Sequence, residues 1–134
     1  MKIFTDGGAR GNPGPAAAAF VARDEEGKIL AKKGKLLGVT TNNVAEYQAV
    51  ILAWNWLVRN YQLRIANCEF FLDSLLVVNQ LNGKFKIKKR KLQELAGEIK
   101  RLEREAGIGA NYTYIPREKN FLADKLVSQL LDNL

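Results

Sequence analysis

Short apolar runs bounded by turn residues divide the chain into five predicted β-strands. The first run leads directly into residues 7–15, where four glycines and two prolines predict a loop. The segment Asp24 to Gly27 predicts a hairpin turn, and residues 38–43 predict a second loop. The strands are expected at residues 1–6, 16–23, 28–37, 68–72 and 111–115.

Apolar residues spaced three and four positions apart predict four helices. The pattern is strongest in residues 44–60, where Asn43 is expected to cap the helix and Glu46 follows three residues later. Gly107 is expected to end the third helix. Pro116 is expected to end the last strand, which precedes the fourth helix. The helices are expected at residues 44–60, 74–82, about 90–106 and 119–133.

The order of these elements predicts the fold class. Three strands joined by hairpins, followed by strands that alternate with helices, indicate an α/β fold with one mixed sheet covered by helices. The later strands should join the sheet in parallel, through right-handed crossovers. A chain of 134 residues is long enough to bury a core and is expected to form a single domain, residues 1–134.

Composition narrows the possible chemistry. Hydrophobic residues make up 47% of the chain and charged residues 26%, which is typical of a soluble globular protein. No apolar run is long enough to span a bilayer, and no signal-peptide pattern is present, so a cytoplasmic location is expected. Cys68 is the only cysteine and is expected to pack as a small hydrophobic residue. Because the chain has no histidine, Ser-His-Asp and Cys-His catalysis are excluded.

The formal charge of +7 favours a polyanionic partner such as nucleic acid, although it also serves solubility. The charge is concentrated in the segment KFKIKKRK, residues 84–91, where six of eight residues are basic. Phe85 and Ile87 are expected to anchor this segment on the body of the protein. A solvated run of charge without a partner is the alternative interpretation.

Four acidic residues occupy unusual settings: Asp6, Glu46, Asp73 and Asp124. Each also has an ordinary explanation. Asp6 could begin a turn, Glu46 could complete a capping box, Asp73 could cap the next helix, and Asp124 could be a surface acid. However, Asp6 and Asp73 both end strands that should be neighbours in the sheet. Glu46 lies near the start of the helix packed on them, and Asp124 lies near the edge of an apolar helix face.

These positions predict that the four acids converge at one rim of the sheet. Carboxylates at such a rim repel one another unless cations bind between them. Hard oxygen ligands select Mg²⁺ or Mn²⁺. Two such ions about 4 Å apart would clamp the attacking and leaving oxygens of a phosphodiester.

Four segments carry a resemblance to a known family: TDGGARGNPGP, TTNNVAEYQAV, LDSLLVVNQL and IPREKNFLADKLV. In this order and spacing, across residues 3 to 131, they resemble the motifs of type 1 ribonuclease H (ribonuclease HI). The resemblance implies a ribonuclease H-like fold, with a five-stranded mixed β-sheet flanked by α-helices. It also implies metal-dependent cleavage of the RNA strand of RNA–DNA hybrids, which leaves 5′-phosphate and 3′-hydroxyl ends.

The resemblance also implies roles for individual residues. The catalytic, metal-binding acids of the family fall on Asp6, Glu46, Asp73 and Asp124, with two Mg²⁺ ions expected and Mn²⁺ as a substitute. Thr41 resembles a contact to a phosphate of the DNA strand. Asn12, Asn42 and Asn43 resemble minor-groove contacts, including contacts to RNA 2′-hydroxyls. Together with the basic segment, the predicted nucleic-acid-binding residues are Gly7, Gly8, Arg10, Asn12, Thr41, Asn42, Asn43, Lys86, Lys88, Lys89 and Arg90.

Three features depart from the family pattern. Many members carry a catalytic histidine before the last acid, and Glu118 occupies the matching place here, where it is expected to recruit a departing metal or water. Leu75 replaces a polar substrate-contacting residue. The separate basic insertion of some relatives is absent, and residues 84–91 are expected to compensate for it.

Two other functions remain open at this point. A nuclease of related fold could cut double-stranded RNA or branched DNA, and a binding module could hold the hybrid without cutting it. The four acids argue against a binding module, because such a module gains nothing from their mutual repulsion. A monomer is the default expectation.

Overall fold

The computed structural model describes residues 1–134 as a five-stranded sheet with helices on both faces. The strands are β1 (Lys2–Ala9), β2 (Gly14–Arg23), β3 (Ile29–Thr40), β4 (Asn67–Leu72) and β5 (Gly109–Tyr114). The helices are α1 (Asn42–Tyr61), α2 (Leu75–Leu81), α3 (Arg90–Ala106) and α4 (Phe121–Asp132), with a 3₁₀ turn at Arg117–Lys119.

The strand order is β3-β2-β1-β4-β5, which places β1 at the centre. The first three strands pair antiparallel, and β4 and β5 join in parallel, so the predicted mixed sheet is confirmed. None of the helices combines the length and apolarity needed to cross a bilayer.

The two faces of the sheet are covered unequally. Helices α1 and α3 enclose the main core, in which Trp54 is fully buried and stacks on Phe70, and its indole N–H donates to the Tyr112 hydroxyl at 3.0 Å. On the other face, α4 packs only over part of the sheet, with Val127 and Leu131 against small alanines of β2. The first turn of α4, which carries Asp124, lies at the rim of the sheet.

The prediction of a loop over residues 7–15 is wrong for most of its length. Strand β1 continues to Ala9, whose partner in β2 is Ala16, and only residues 10–13 lie outside the two strands. A Cβ atom at position 7 would lie 2.1 Å from the carbonyl oxygen of Ala45, so only glycine lets α1 approach the strand this closely. The glycines therefore mark a close backbone contact as well as a turn.

The predicted helix caps are also corrected. The side chain of Thr41, rather than that of Asn43, caps α1 by accepting a hydrogen bond from the Val44 N–H at 3.3 Å. The α2 helix is capped by Ser74, whose Oγ accepts from the Val77 N–H at 3.3 Å. A hydroxyl beside an apolar run can reach the free N–H groups of the first turn, and this frees the neighbouring acids and amides for other roles.

Two element boundaries differ from expectation. Strand β3 runs three residues beyond the predicted end at 37, because a register irregularity opposite Ala16 and Ala17 lets the pairing continue to Thr40. The last helix begins at Phe121, since residues 117–119 form a 3₁₀ turn after Pro116. Gly107 adopts the left-handed conformation with φ of 66° and ends α3 as predicted.

Candidate active site

Three of the four predicted acids form a compact cluster at the rim of the sheet. One oxygen from each of Asp6, Glu46 and Asp73 lies within 4.8 Å of the other two. Thr5 pairs with Leu72 across the parallel β1/β4 ladder, so Asp6 and Asp73 each follow the last residue of that pairing. Here the expectation that Asp6 ends its strand is corrected, because β1 continues beyond it along β2 alone.

The ordinary explanations for these acids do not match their positions. Asp6 lies within a strand and not in a turn, and it is only 6% exposed. Glu46 is 7% exposed and forms no capping box, because Thr41 is the cap of its helix. Asp73 does not cap α2, since Ser74 does. Buried carboxylates without a structural task require another source of stabilisation.

Burial dominates the electrostatics of the cluster. Burial, followed by the negative charges of Asp73 and Asp124, raises the pKa of Asp6 to about 8. Burial also raises the pKa of Glu46 well above its ordinary value, with Asp6 and Asp73 as further causes. The pKa of Asp73 is raised by burial, while a hydrogen bond from Asn120 favours its charged form. Without a bound cation, the cluster therefore retains protons at neutral pH.

Asp124 faces the same cleft from the first turn of α4. Its carboxylate is close enough to raise the pKa of Asp6, and its Oδ1 atom accepts a hydrogen bond from Arg117 Nη2 at 3.2 Å. The cleft has a volume of about 460 Å³. Its lining includes the predicted residues Asp6, Gly7, Gly8, Arg10, Asn42, Glu46, Asp73 and Asp124.

Glu118 lies elsewhere. It is exposed in the 3₁₀ turn and is not among the residues that line the cleft, whereas its neighbour Arg117 is. The residue that matches the histidine of the family therefore lies next to the acidic cleft and not in it.

The predicted asparagine contacts form a small network beside the acids. Asn42 Oδ1 accepts a hydrogen bond from the Ala9 N–H at 2.8 Å, and Asn12 Oδ1 accepts one from the Asn42 N–H at 3.0 Å. Both side-chain oxygens are thus occupied, and both amide NH₂ groups have no protein acceptor. The network fixes the loop of residues 10–13 to the start of α1 and leaves donors for a ligand.

The basic segment borders a second groove of about 490 Å³. Ile87 packs on the main core as expected, but Phe85 is 49% exposed and lines the groove instead of anchoring the segment. Arg90 does not line it; its side chain is 92% exposed and lies 3.6 Å from Glu94. The groove is lined by Asn43, Leu76, Gln80, Lys84, Phe85, Lys86, Lys88, Lys89 and Leu92.

Comparisons with known proteins identify relatives of this chain. A family profile described as reverse transcriptase-like matches residues 4–130. LC11-RNase H1, isolated from compost and solved in complex with an RNA/DNA hybrid, is 42% identical, with a TM-score of 0.92 over 96% of this chain and 94% of that one. RNase H1 from the archaeon Halobacterium salinarum is 33% identical, with a TM-score of 0.91 over 99% of this chain and 98% of that one.

The chain belongs to the ribonuclease H family, a family of nucleases. Its relatives include longer proteins. A bifunctional protein of Mycobacterium tuberculosis is 36% identical over 140 residues, which cover 98% of this chain but 35% of that protein. The chain also spans 65% of the length of the ribonuclease HI of H. salinarum, to which it is 35% identical.

The carboxylates of the cluster are suited to hold a divalent cation. Glu46 Oε2 is buried and has no hydrogen-bond partner, which leaves a hard oxygen ligand unused beside two other carboxylates. A cation would satisfy this oxygen and would favour the charged forms of Asp6 and Asp73. Three acidic oxygens in one buried cluster fit Mg²⁺ or Mn²⁺ better than the softer metals that prefer sulfur or imidazole.

Two residues of the site were missed by the sequence interpretation. Asn120 is 1% exposed, and its Nδ2 atom donates to the carbonyl oxygen of Thr5 at 2.7 Å and to Asp73 Oδ2 at 3.1 Å. Arg117 lines the cleft and pairs with Asp124. The only signal for either was their place in the IPREKN segment before the last helix, which does not show what their side chains contact.

Proposed function

We propose that this protein cleaves the RNA strand of RNA–DNA hybrids by metal-dependent hydrolysis, leaving 5′-phosphate and 3′-hydroxyl ends. The single observation that carries the proposal is the buried cluster of Asp6, Glu46 and Asp73, with Asp124 in the same cleft. The hybrid-bound relative with 42% identity supports the choice of substrate.

In this mechanism, Asp6, Glu46 and Asp73 would hold divalent cations, and Asp124 would complete the set beside Asp6. Two Mg²⁺ ions, or Mn²⁺ in their place, would activate the attacking water and stabilise the leaving oxygen when bound. Asn120 keeps the Asp73 carboxylate directed into the cleft through its 3.1 Å hydrogen bond. Arg117 holds Asp124 and places a permanent positive charge at the edge of the cleft, where the phosphate charge increases in the transition state.

The free amide groups of Asn12 and Asn42 supply a means to recognise RNA. Both amide groups lie beside the acids and can donate hydrogen bonds to a ligand. In a minor groove, their acceptors would include the 2′-hydroxyls of the RNA strand. Gly7 and Gly8 line the cleft, where their backbone would face a ribose-phosphate chain. Arg10 also lines the cleft, although its guanidinium pairs with Asp132 and would have to exchange that partner for a phosphate.

The lysine-lined groove is suited to the DNA strand. Asn43 from the first turn of α1 lines it, together with four lysines. Lys84, Lys86, Lys88 and Lys89 would neutralise phosphates, and the exposed ring of Phe85 offers an apolar surface to a sugar or base. Thr41 is committed to capping α1, so its proposed phosphate contact would use the same hydroxyl as a donor.

The experiment compares four labelled duplexes of one sequence: RNA–DNA, RNA–RNA, DNA–DNA, and DNA with one ribonucleotide. Mg²⁺ and Mn²⁺ are added separately, and Asp73→Asn excludes a contaminating nuclease. Cleavage of the RNA strand in the hybrid alone is the expected result. Cleavage of RNA–RNA at a similar rate would favour the related-fold nuclease, and hybrid binding without turnover in either metal would favour the binding module.

Product ends are checked on the same reactions. Removal of a 5′-phosphate by phosphatase and extension of the 3′-hydroxyl by a polymerase are expected, and a 2′,3′-cyclic phosphate would contradict the two-metal mechanism. Monomeric state and cytoplasmic location stay predictions from the sequence.

A further inference from the structure

Gln80 of α2 places an amide side chain in the lining of the lysine groove. Its carbonyl oxygen, Oε1, accepts a hydrogen bond from the Tyr47 hydroxyl at 2.7 Å. Tyr47 belongs to α1 and is fully buried, and its hydroxyl forms no other hydrogen bond. Burial raises the pKa of Tyr47 to about 12, so the hydroxyl keeps its proton at neutral pH. Gln80 is therefore the acceptor that this buried donor requires.

The contact with Tyr47 decides which way the Gln80 amide faces. In the opposite orientation, the NH₂ group would face the Tyr47 oxygen, and the hydroxyl hydrogen would have no acceptor. With Oε1 directed at Tyr47, the Nε2 atom is directed away from it. Nε2 forms no hydrogen bond within the protein, and it is not a buried atom. The groove thus contains an oriented hydrogen-bond donor that is free to bind a ligand.

The charge around this donor favours an anionic acceptor. Four lysines line the same groove, none of them forms an ion pair with a carboxylate, and no acidic side chain lines the groove. A phosphodiester supplies both the negative charge that suits the lysines and the oxygen that accepts from an amide.

The basic segment is also fixed in position relative to Gln80. The carbonyl oxygen of Asn79, the preceding residue of α2, accepts hydrogen bonds from the N–H groups of Lys84 and Phe85 at 2.8 and 3.1 Å. The start of the lysine-rich chain is therefore attached to the helical turn that carries the amide. A phosphate attracted by the lysines would arrive beside a donor whose place is already set.

We propose that Gln80 recognises one phosphate of the DNA strand by donating a hydrogen bond from Nε2 to a non-bridging oxygen. Tyr47 is the positioning residue, since its hydroxyl holds the amide in the orientation that presents Nε2 to the groove. The inference rests on the proposed function, because it requires a hybrid in this groove.

The contact would set the register of the hybrid. Lysines attract a phosphate backbone through charge and tolerate a shift along it, whereas a hydrogen bond from a fixed amide requires a phosphate in one place. Tyr47 directly follows Glu46 in α1, so the orienting hydroxyl and an acid of the cluster are carried by the same helical turn. A phosphate held by Gln80 would therefore lie at a fixed distance from the acids.

The test measures affinity for a labelled hybrid in Mg²⁺ by fluorescence anisotropy, with all proteins in the Asp73→Asn background, in which cleavage is expected to be blocked. Gln80→Leu should weaken binding about fivefold, as expected for the loss of one hydrogen bond to a charged group. Tyr47→Phe should weaken binding less, because the donor remains but is no longer oriented. Gln129→Leu, at an exposed position of α4 outside both the cleft and the groove, is the matched control and should leave affinity unchanged.

Gln80→Glu separates a role in binding from a role in folding. The glutamate still offers an oxygen to the Tyr47 hydroxyl, but it lacks the donor and adds a negative charge opposite the phosphate. Its thermal unfolding temperature should not fall below that of the unaltered protein, while its affinity for the hybrid should fall more than that of Gln80→Leu. With Asp73 intact, Gln80→Leu should raise KM and leave kcat nearly unchanged.

A second series of hybrids locates the acceptor. One phosphate of the DNA strand at a time is replaced by a neutral methylphosphonate. At one position the replacement should weaken binding when Gln80 is present and have a smaller effect in Gln80→Leu, because both changes remove the same contact. At the other positions the two effects should add.

Three outcomes would overturn the proposal: equal affinities of Gln80→Leu and Gln129→Leu, additive effects at every phosphate, or losses of affinity that follow losses of stability across the Gln80 and Tyr47 variants. The last would mean that Gln80 only joins α2 to α1. Absence of hybrid binding by every form would contradict the proposed function itself, whereas binding that does not depend on Gln80 contradicts this inference alone.

Discussion

The side chain of Asn120 joins Asp73 to the strand that carries Asp6. Its amide donates to Asp73 Oδ2 at 3.1 Å and to the carbonyl oxygen of Thr5, the residue before Asp6, at 2.7 Å. These contacts bridge 47 and 115 positions of sequence. One buried amide thus fixes the relative positions of two acids that a metal site must hold together.

Asn120→Ala should impair catalysis more than it impairs substrate binding. Loss of the amide removes the donor to the buried Thr5 carbonyl and to the half-buried Asp73 carboxylate, which should lower the free energy of unfolding by about 1–3 kcal/mol. The turnover number should fall because Asp73 loses its orientation, while KM for the hybrid changes little. Steady-state kinetics and urea unfolding measure the two effects. Asn111→Ala, at an exposed position of β5, is the control, and an equal loss of turnover there would contradict the role of Asn120.

Asp6→Asn should stabilise the metal-free protein at neutral pH while it abolishes cleavage. The pKa of Asp6 is about 8 in the folded protein and near 3.8 without the fold. A carboxyl group with a raised folded-state pKa stabilises the fold below its unfolded pKa, and this contribution is lost as pH rises through about 8. The gain should therefore grow as pH rises above about 4 and level off near pH 8.

The measurement for Asp6→Asn is urea unfolding in a chelator at pH 5 and pH 8. The stability of the unaltered protein should decrease between these values, and that of the variant should decrease less. Addition of Mg²⁺ should restore the unaltered protein at pH 8 more than the variant, since the variant lacks one of the ligands. A larger gain at pH 5 than at pH 8 would contradict the assignment.

Arg117 and Glu118 provide a matched pair for the catalytic step. Arg117→Ala should lower the turnover number about tenfold or more, because the cleft loses its only guanidinium directed at Asp124. Glu118→Gln should leave the rate close to that of the unaltered protein, since Glu118 is exposed outside the cleft. Single-turnover kinetics at saturating hybrid separate this step from product release. The reverse ranking would return the catalytic role to Glu118.

The basic groove should contribute to affinity and not to chemistry. Changing Lys86, Lys88 and Lys89 together to glutamine should raise KM, and it should lower the slope of log affinity against log salt by about 2–3 units if each lysine contacts a phosphate. The same change at Lys32, Lys33 and Lys35 of β3 removes equal charge outside the groove. Equal slopes for the two triple variants would show that only net charge matters.

The cluster could be predicted from the sequence because Asp6 and Asp73 follow strands expected to be neighbours, and Glu46 begins the helix expected to pack on them, although each acid alone has an ordinary explanation. The mixed sheet could also be predicted, because the apolar residues of β4 and α1 follow clear strand and helix patterns that fix the order of the elements. The glycine-rich segment was wrongly predicted as a loop because glycine is required both in turns and where two backbones pack closely, as Gly7 does against the Ala45 carbonyl. Composition alone does not distinguish the two cases. Asn120 and Arg117 were missed because their partners lie on other elements, and no local pattern reports a hydrogen bond across 115 residues.

The contact between Gly7 and Ala45 has a consequence for how variation in this chain is interpreted. A single methyl group at position 7 would push α1 away from β1 and carry Glu46 away from Asp6. A mutational scan scored by activity would therefore rank Gly7 with the carboxylates, although glycine has no group that binds metal or transfers protons. At this position, loss of activity on substitution would reflect a change in the distance between Asp6 and Glu46. A second substitution that restores activity is expected in α1, where it would make room for the methyl group, and not at a metal ligand.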